Sequence, residues 1–325
     1  MDDLVAMLRA VGDPTRLRLL LLLRQAELTV SELIEITGQS QPRVSRHLKL
    51  LYEAGLLERV KEGSWVFHRA VEDGWGAALS RLLAELAEDG DPIYELDRKR
   101  LLLVRETRAR QAAAYFKANA SEWNKIRSLY APEKDVESAI LKRLTGEKID
   151  NLLDAGTGTG RMLELLAPFV HRAVGVDVSP EMLAIAREKL MQPEFIHCRV
   201  RLGDVYRLPF ENGNVLVGFD AVLFHQVLHY LDDPAAAVAE AARVMRHGGR
   251  LLIADFAPHE LEFLRDDYAH RRLGFSDKEV QGWFHAAGLK ATGSEAIAPH
   301  GGAKDKLTVK LWLAEVPAAN KTVTE

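Results

Sequence analysis

The first ninety residues alternate between helical and strand-like hydrophobic patterns. Leucines and other apolar side chains recur at helical spacing in five windows, and two short stretches alternate apolar and polar positions, which is typical of strands. The helical windows are residues 4–11, 14–23, 29–38, 41–53 and 75–86, and the strand-like stretches are 57–60 and 65–71, joined by the turn Glu62-Gly63-Ser64. Helices followed by a two-stranded wing predict a winged helix-turn-helix.

The second half of the chain opens on a strand, a glycine loop and a helix. Ile149 to Leu153 is predicted to be a short buried strand, and Gly156, Gly158 and Gly160 follow it directly. A strand that runs into glycines and then a helix is the first turn of a doubly wound sheet, where ligands bind at the carboxyl ends of strands. A dinucleotide site would need a third glycine at position 161, where this chain has Arg161.

Further strands and helices alternate after this loop. The predicted strands are 173–177, 219–224, 250–255 and 307–314, and the predicted helices are 162–169, 234–245 and 276–287. This order predicts a Rossmann-like sheet that ends in an antiparallel hairpin. The expected fold class is therefore α/β with an all-α-rich N-terminal domain.

Residues Asn151 to Gly160, with Asp177 at the end of the next apolar run, resemble the class I S-adenosylmethionine (SAM) methyltransferases over about residues 149–316. The resemblance implies SAM or S-adenosylhomocysteine as the cofactor, with Asp177 on the ribose hydroxyls and Asp204 on the adenine amino group. The cofactor-binding residues that it implies are Asp154, Gly156, Thr157, Gly158, Gly160, Asp177, Val178, Met182, Gly203, Asp204, Val205, His225, Tyr115 and Trp123.

Two motifs in the first half, Ala10 to Leu20 and Ser40 to Leu51, resemble the ArsR family of bacterial repressors over about residues 4–88. On the helix 41–53, Val44, Leu48 and Leu51 form an inward stripe, so the polar side chains between them face outward. Between Ile36 and Arg69 there are six basic and three acidic residues. The predicted contacts to double-stranded operator DNA are Ser40, Gln41, Arg43, Ser45, Arg46, Lys49, Arg59 and Lys61.

Two alternatives stand beside the DNA-binding hypothesis. Charge patterning alone also fits a solvated face of a protein-interaction module, and His47 is expected to pack rather than to read DNA. A single winged helix reads one half-site, so a two-fold symmetric homodimer is expected. Its predicted seam lies on the first and fifth helices and comprises Leu4, Leu8, Leu79, Leu82 and Leu86.

No metal site is expected. Many ArsR relatives sense metals or arsenicals through a Cys-Val-Cys element, but here Thr29 and Ser31 stand at the matching positions, and soft metals prefer thiolates. Cys198 is the single cysteine of the chain. His225 and His229 have a helical metal-ligand spacing, but they lie where the family lines its SAM and acceptor pocket.

Length and charge bound the remaining possibilities. The chain has 325 residues, enough for two domains, and a net charge of -4, which predicts no general affinity for nucleic acid. No apolar run is long enough to span a bilayer and the first residues do not form a signal peptide, so a cytoplasmic protein without membrane contact is expected. The predicted domains are 1–91 (winged helix-turn-helix and dimerisation), 92–147 (helical linker and lid), 148–317 (methyltransferase-like) and 318–325 (flexible tail).

The linker carries aromatic pairs as well as basic residues. Tyr115-Phe116 and Trp123-Asn124 resemble the segment that covers the SAM pocket in small-molecule methyltransferases. The segment from Ile93 to Tyr130 is therefore predicted to be both linker and lid, and to couple the two domains.

Two functions remain open from the sequence. The leading hypothesis is a transcriptional regulator whose methyltransferase-like domain binds SAM or S-adenosylhomocysteine as an effector. The alternative is an active methyltransferase that acts on a small molecule and controls its own operon. The methyl acceptor would be small, and the candidate bases for an acceptor that must lose a proton are His225, His229, His259 and His270, none of which the sequence singles out.

Overall fold

The computed structural model describes residues 2–62, 65–71, 74–87, 91–120, 133–146, 148–213, 218–299 and 307–318. The chain divides into two compact units, Met1–Gln111 and Ala112–Glu325. No helix in the described part of the chain is both long and apolar enough to cross a membrane.

The N-terminal unit is a winged helix-turn-helix, as the hydrophobic pattern predicts. The wing is an antiparallel pair of strands, and a third, two-residue strand pairs with its inner member, so that Leu28 lies opposite His68. The elements are α1 (Asp2–Val11), α2 (Pro14–Gln25), β1 (Leu28–Thr29), α3 (Val30–Thr37), α4 (Gln41–Glu53), β2 (Leu57–Glu62), β3 (Trp65–Ala70) and α5 (Gly74–Leu86).

Local capping explains where these helices begin. The Asp13 carboxylate accepts a hydrogen bond from the backbone N–H of Arg16 at 3.0 Å, and Pro14 occupies the first turn of α2. Thr29 and Glu32 form a reciprocal capping box at the start of α3. One of the two positions that would carry a metal-binding thiol in ArsR relatives, Thr29, is thus a helix cap in this chain.

A long helix, α6 (Pro92–Asn119), follows the winged domain. Leu101 and Val104 of this helix are buried in the hydrophobic core of the N-terminal unit. Its last turns fall within the C-terminal unit, which begins at Ala112. The helix therefore supplies residues to both units.

The C-terminal unit is a mostly parallel sheet with helices on its faces. Within the described residues the sheet has seven strands in the order β6-β5-β4-β7-β8-β10-β9, and β10 is antiparallel to both of its neighbours. The elements are α7 (Glu133–Leu144), β4 (Ile149–Ala155), α8 (Arg161–Leu166), β5 (Val170–Asp177), α9 (Pro180–Lys189), β6 (Cys198–Leu202), β7 (Phe219–His225), α10 (Pro234–Val244), β8 (Met245–Phe256), α11 (Phe263–Tyr268), α12 (Asp277–Ala286), β9 (Lys290–Ile297) and β10 (Val309–Glu315).

The strand order fixes where a ligand can bind. β4 pairs with β5 on one side and with β7 on the other, so the direction of winding reverses between β4 and β7. In doubly wound sheets, ligands bind in the crevice outside the carboxyl ends of the strands at such a reversal. The loops after Ala155 and after His225 meet at this crevice. The predicted Rossmann-like sheet and its terminal antiparallel hairpin are both confirmed.

Candidate functional site

The glycine loop after β4 has a backbone that needs glycine. Gly156, Gly158 and Gly160 all have positive φ, at 78°, 52° and 79°. A methyl group added to Gly156 would lie 2.5 Å from Val227 Cγ2, closer than any real contact. The loop therefore packs directly against the segment that follows β7, with Gly156 and Gly158 half-buried.

Asp177 connects the glycine loop to the next helix. One carboxylate oxygen accepts from the Gly158 N–H at 2.8 Å and the other accepts from the Ser179 N–H at 2.9 Å. Burial raises the pKa of Asp177 above the ordinary value, and the two backbone donors partly offset that effect. Each carboxylate oxygen can accept a second hydrogen bond, so the group keeps capacity for a ligand hydroxyl.

Asp154 and Thr157 lie beneath the loop. The Asp154 carboxylate accepts a hydrogen bond from Thr157 Oγ1 at 2.6 Å, and both residues are buried. The backbone N–H groups of Gly156 and Thr157 both donate to the Val176 carbonyl, at 2.8 and 2.9 Å. These contacts hold the loop in place. The side chains of Asp154 and Thr157 therefore stabilise the conformation of the loop.

The residues predicted for the adenine side lie at the ends of β5 and β6. Val178 directly follows Asp177 and its side chain is 56% exposed. Asp204 is exposed and accepts from the Tyr206 N–H at 2.9 Å, and Val205 is buried beneath it. A methyl group on Gly203 would meet Val176 Cγ1 at 2.9 Å. Met182 is buried in the first turns of α9.

The turn after β7 is strained in a way that the sequence did not signal. Gln226 adopts φ 54°, a left-handed conformation that is uncommon for a residue with a side chain, and its N–H donates to the Ala254 carbonyl at 2.7 Å. Such outliers concentrate at functional sites. The turn carries His225, which is buried, and Val227, which packs on the glycine loop.

Aromatic side chains from the end of α6 pack within the C-terminal unit. The Phe116 ring lies 4.8 Å from the Tyr230 ring, and the Tyr115 ring lies 6.4 Å from the Tyr268 ring, measured between centroids. Tyr230 follows β7 and Tyr268 ends α11. The structure thus places Tyr115 beside the end of α11 and Phe116 beside the segment after β7, whereas Trp123 lies outside the described residues.

Sequence reasoning missed Asp255, which lies at the carboxyl end of β8. Its Oδ1 is 2.7 Å from His229 Nδ1, and its Oδ2 accepts from the Leu228 N–H at 2.9 Å. His229 and Asp255 are both buried. An acid at the end of a predicted strand is the same signal that singled out Asp177, so the sequence could have revealed this residue.

In the N-terminal unit, α4 presents a polar and basic face. Val44, Leu48 and Leu51 are buried, as predicted, and His47 is buried with them. Burial lowers the pKa of His47, which keeps this ring neutral at neutral pH. The predicted DNA-contacting side chains Ser40, Gln41, Arg43, Ser45, Arg46, Lys49, Arg59 and Lys61 are all exposed.

One of the six basic residues between Ile36 and Arg69 forms ion pairs within its own unit. Arg69 lies on β3 and pairs with Glu27 at 3.1 Å and with Glu58 at 2.9 Å. Arg59 lies over the Tyr52 ring at 4.4 Å, which holds its guanidinium beside α4. The positive face is therefore formed by α4 together with the start of the wing.

Comparisons with known families match both halves of the chain. The family described as "Bacterial regulatory protein, arsR family" matches residues 13–59, which span α2 to β2. The family described as "Methyltransferase domain" matches residues 153–253, which run from the glycine loop into β8.

Several similar proteins are named as methyltransferases. A methyltransferase of Schizosaccharomyces pombe is 38% identical over 32% of this chain and 38% of its own length. A protein of Mycolicibacterium smegmatis named as a probable S-adenosylmethionine-dependent methyltransferase is 28% identical over 51% of this chain and 66% of its own length. The chain spans about a third to two thirds of the length of the curated relatives it matches.

A solved structure supports the fold of the C-terminal unit. A chain in the complex between the Haloferax volcanii Trm112 methyltransferase activator and a methyltransferase superposes with a TM-score of 0.53 at 23% identity, covering 64% of this chain and 98% of that one. The sheet order, the glycine loop and the two family matches agree with one another. The chain thus carries one region that matches the ArsR-family model and a second that matches the methyltransferase-domain model, and the second implies SAM or S-adenosylhomocysteine as the cofactor.

Proposed function

We propose that the protein is a cytoplasmic, homodimeric DNA-binding regulator whose methyltransferase domain binds SAM or S-adenosylhomocysteine as an effector. In this proposal, the affinity for operator DNA depends on which of the two molecules is bound. Two requirements follow: a cofactor site on the C-terminal unit, and an element through which that site influences α4.

The residues at the reversal of the sheet fit the cofactor. The glycine loop could present its backbone to the amino-acid part of the cofactor because its glycines adopt positive φ and carry no side chain. Asp177 would accept from the ribose hydroxyls, and exposed Val178 and Asp204 would contact the adenine on its face and at its amino group. When bound, SAM supplies a methyl group on a positively charged sulfur.

The observation that carries the regulatory proposal is the packing of α6 on the helix-turn-helix. Asp97 of α6 accepts two hydrogen bonds from Arg18, at 2.6 and 2.8 Å, and has no exposed surface. Arg100 of α6 donates to the Ile36 carbonyl at 3.0 Å, and Arg18 donates to the Thr37 carbonyl at 3.3 Å. These carbonyls lie at the end of α3, directly before the turn into α4.

The same helix ends among the aromatic side chains of the C-terminal unit. Phe116 of α6 packs on Tyr230, which follows the turn that touches the glycine loop. A ligand that favours one arrangement of this helix over another would therefore bias the position of α4, which is the physical requirement for coupling.

The proposal is tested by DNA binding under three ligand conditions. A labelled duplex selected from a random-sequence pool by the ligand-free protein is titrated with the full chain alone, with saturating SAM and with saturating S-adenosylhomocysteine. We expect a difference of about 5- to 150-fold between at least two conditions, corresponding to a coupling of about 1–3 kcal/mol. Equal affinity under all three conditions would contradict the effector role.

The second candidate function is methyl transfer to a small molecule. Positioning and desolvation can supply much of the rate of methyl transfer from a sulfonium, and a base is needed only if the acceptor must lose a proton. The buried pair of His229 and Asp255 is the observation that favours this candidate.

A further inference from the structure

Three buried histidine nitrogens lie together beyond the carboxyl ends of β7 and β8. The His229 ring is 4.2 Å from the His270 ring and 4.8 Å from the Phe256 ring, and the Phe256 ring is 6.1 Å from the His259 ring. His229 Nε2, His259 Nε2 and His270 Nδ1 have no hydrogen-bond partner among the described residues. A buried polar atom without a partner is costly, so this cluster requires an explanation.

Asp255 determines which nitrogen of His229 is basic. A carboxylate can only accept hydrogen bonds, so the 2.7 Å contact places the ring proton of His229 on Nδ1. The unshared electron pair then lies on Nε2, the buried atom without a partner. Asp255 is itself held by the backbone N–H groups of Leu228 and Phe256, at 2.9 and 2.8 Å.

The other two histidines lack this carboxylate contact. Burial, with the neighbouring His229, lowers the pKa of His259 to about 4 and holds the pKa of His270 well below its ordinary value. The positive charge of Arg265 lies close enough to lower the pKa of both histidines further. His259 and His270 are therefore neutral at neutral pH, and His229 is the member of the cluster with a negative partner.

The cluster lies beside the glycine loop. Leu228 to Tyr230 form one turn directly after Val227, whose side chain fills the space above Gly156. The backbone after α11 closes over this turn, because the N–H groups of Arg271 and Arg272 both donate to the His229 carbonyl, at 2.9 and 3.0 Å. No three metal-binding side chains in the described part of the chain are placed to share a metal ion.

We propose that His229 is the proton acceptor for methyl transfer to a small phenolic hydroxyl group, with Asp255 as its positioning residue. This inference rests on the SAM site proposed above. The acceptor O–H gives its proton to His229 Nε2 while its oxygen bonds to the methyl carbon. The bond between that carbon and sulfur breaks, and its electron pair stays on the sulfur of S-adenosylhomocysteine.

The charge balance of this step explains why a carboxylate, Asp255, lies beside His229. The positive charge of the donor passes to the His229 imidazolium, which Asp255 stabilises, and the imidazolium returns its proton to solvent after the product leaves. A phenol suits the site because its ring can pack on aromatic side chains such as Phe256 and Tyr230, while its hydroxyl is acidic enough to ionise beside an imidazole.

A spectroscopic experiment separates a proton acceptor from a structural histidine. 4-Nitrophenol, whose phenolate absorbs visible light, is titrated with pH in the presence of the full chain saturated with S-adenosylhomocysteine, so that no methyl transfer occurs. We expect the bound phenol to ionise at least one pH unit below the free phenol, because its proton passes to His229. Wild-type protein that binds S-adenosylhomocysteine but leaves this ionisation unchanged would overturn the proposal.

Variants test whether His229 causes the ionisation shift of the bound phenol. In His229→Gln the shift should be lost while the affinity for S-adenosylhomocysteine is retained. With SAM, at a pH below the pKa of free 4-nitrophenol, the formation of 4-nitroanisole should fall about 10²- to 10⁴-fold. His285→Gln removes an exposed histidine of α12 and should behave as wild type. A His229→Gln protein that keeps both the shift and the reaction would refute the assignment.

Asp255→Asn tests the positioning role independently. The titratable groups that face His229 are Asp255, His259, His270 and Tyr230, and Arg265 lies nearby. Without the carboxylate, the ring proton of His229 is no longer held on Nδ1, so the ionisation shift of bound 4-nitrophenol should shrink and the maximum rate should fall, while the affinity for S-adenosylhomocysteine is retained. An unchanged ionisation shift would contradict the positioning role. Failure of wild-type protein to bind S-adenosylhomocysteine, measured by calorimetry, would instead remove the cofactor site and with it the proposed function.

Discussion

At the scale of single residues, carboxylates at strand ends carry most of the chemistry of the C-terminal unit. Asp154, Asp177, Asp204 and Asp255 each follow or end a parallel strand, yet their surroundings differ. Asp154 and Asp255 are buried and hold neighbouring groups, whereas Asp177 is half-buried and Asp204 is exposed. The two more accessible carboxylates are the ones that remain able to contact a ligand.

Asp177→Ala should weaken SAM binding by about 1.5–3 kcal/mol, because the ribose hydroxyls lose a charged acceptor and the glycine loop loses the bond to Gly158. Isothermal titration calorimetry measures the change. Asp150→Ala is the matched control, since Asp150 is exposed on the same sheet and pairs only weakly through Lys148. Unchanged affinity in Asp177→Ala would contradict the assignment.

The affinity for SAM should also depend on pH through Asp177. The folded-state pKa of this carboxyl is raised by burial, so the group loses its negative charge at a higher pH than an ordinary carboxyl does. Affinity should therefore be full above that pKa and should fall as the pH falls through it. Calorimetry across a pH series should show this dependence in wild type and not in Asp177→Ala.

At the scale of elements, the proposed function of the N-terminal unit depends on two helices. α4 buries an apolar stripe and turns its basic side chains outward, and α6 contacts α2 through the Arg18–Asp97 pair. The first helix would meet DNA, and the second would transmit the state of the cofactor site.

Replacing Arg43, Arg46 and Lys49 together by Ala should abolish specific DNA binding, because a guanine contact is worth about 1–3 kcal/mol and each phosphate contact adds affinity that depends on salt. Lys49→Ala alone should lower the slope of log affinity against log salt by about one unit. Fluorescence anisotropy with the selected duplex measures both. Wild-type affinity in the triple variant would exclude α4 as the reading helix.

Asp97→Ala should destabilise the N-terminal unit by about 3 kcal/mol, because it leaves the Arg18 guanidinium partly buried without its carboxylate. The control is Glu95→Ala on the same helix, which breaks only an exposed pair with Arg98 and should cost less than about 1 kcal/mol. Urea denaturation followed by circular dichroism compares the two. Equal stability of both variants would show that α6 does not brace the helix-turn-helix.

At the scale of the whole molecule, the proposal requires that two copies and two units act together. α1 and α5 leave large apolar side chains in contact with solvent: Leu4, Leu8, Leu82, Leu86 and, at 76% exposed, Trp75. These side chains would be covered in the proposed dimer. Leu79 of the predicted seam is partly buried against the core of its own unit.

Leu82→Glu should convert a dimer to a monomer at micromolar concentration, because it places a charge on the predicted seam. Light scattering measures the mass in solution. Ile196→Glu changes an even more exposed apolar residue of the C-terminal unit and should leave the mass unchanged. A monomeric wild-type protein would contradict the dimer.

Phe116→Ala should uncouple the two activities, because it removes the contact of α6 with Tyr230 while leaving the glycine loop and α4 intact. SAM and DNA should each still bind, but the effect of SAM on DNA affinity should fall below about twofold. The reciprocal measurement, SAM affinity with and without DNA, must change equally, since coupling is symmetric. Coupling as strong as in wild type would place the connection elsewhere.

The sequence by itself determined what depends on local pattern. The caps at Asp13 and Thr29, the buried stripe of α4, the glycine loop and the acid of Asp177 all follow from short-range spacing, because helix periodicity, capping and positive φ are local properties. The winged helix and the Rossmann-like class of the sheet followed from the succession of such elements, helped by resemblance to known families, whereas the strand Lys290–Ile297 was not predicted.

Only the tertiary structure decided which distant groups meet. His225, His229, His259 and His270 were equivalent in the sequence, and the packing of β8 beside β7 gives a carboxylate contact to His229. The left-handed conformation of Gln226 and the hydrogen bonds from Arg18 and Arg100 to the end of α3 could likewise not be predicted from the sequence. These features depend on which strands and helices lie side by side, and a contact between residues far apart in the chain leaves no local pattern to read.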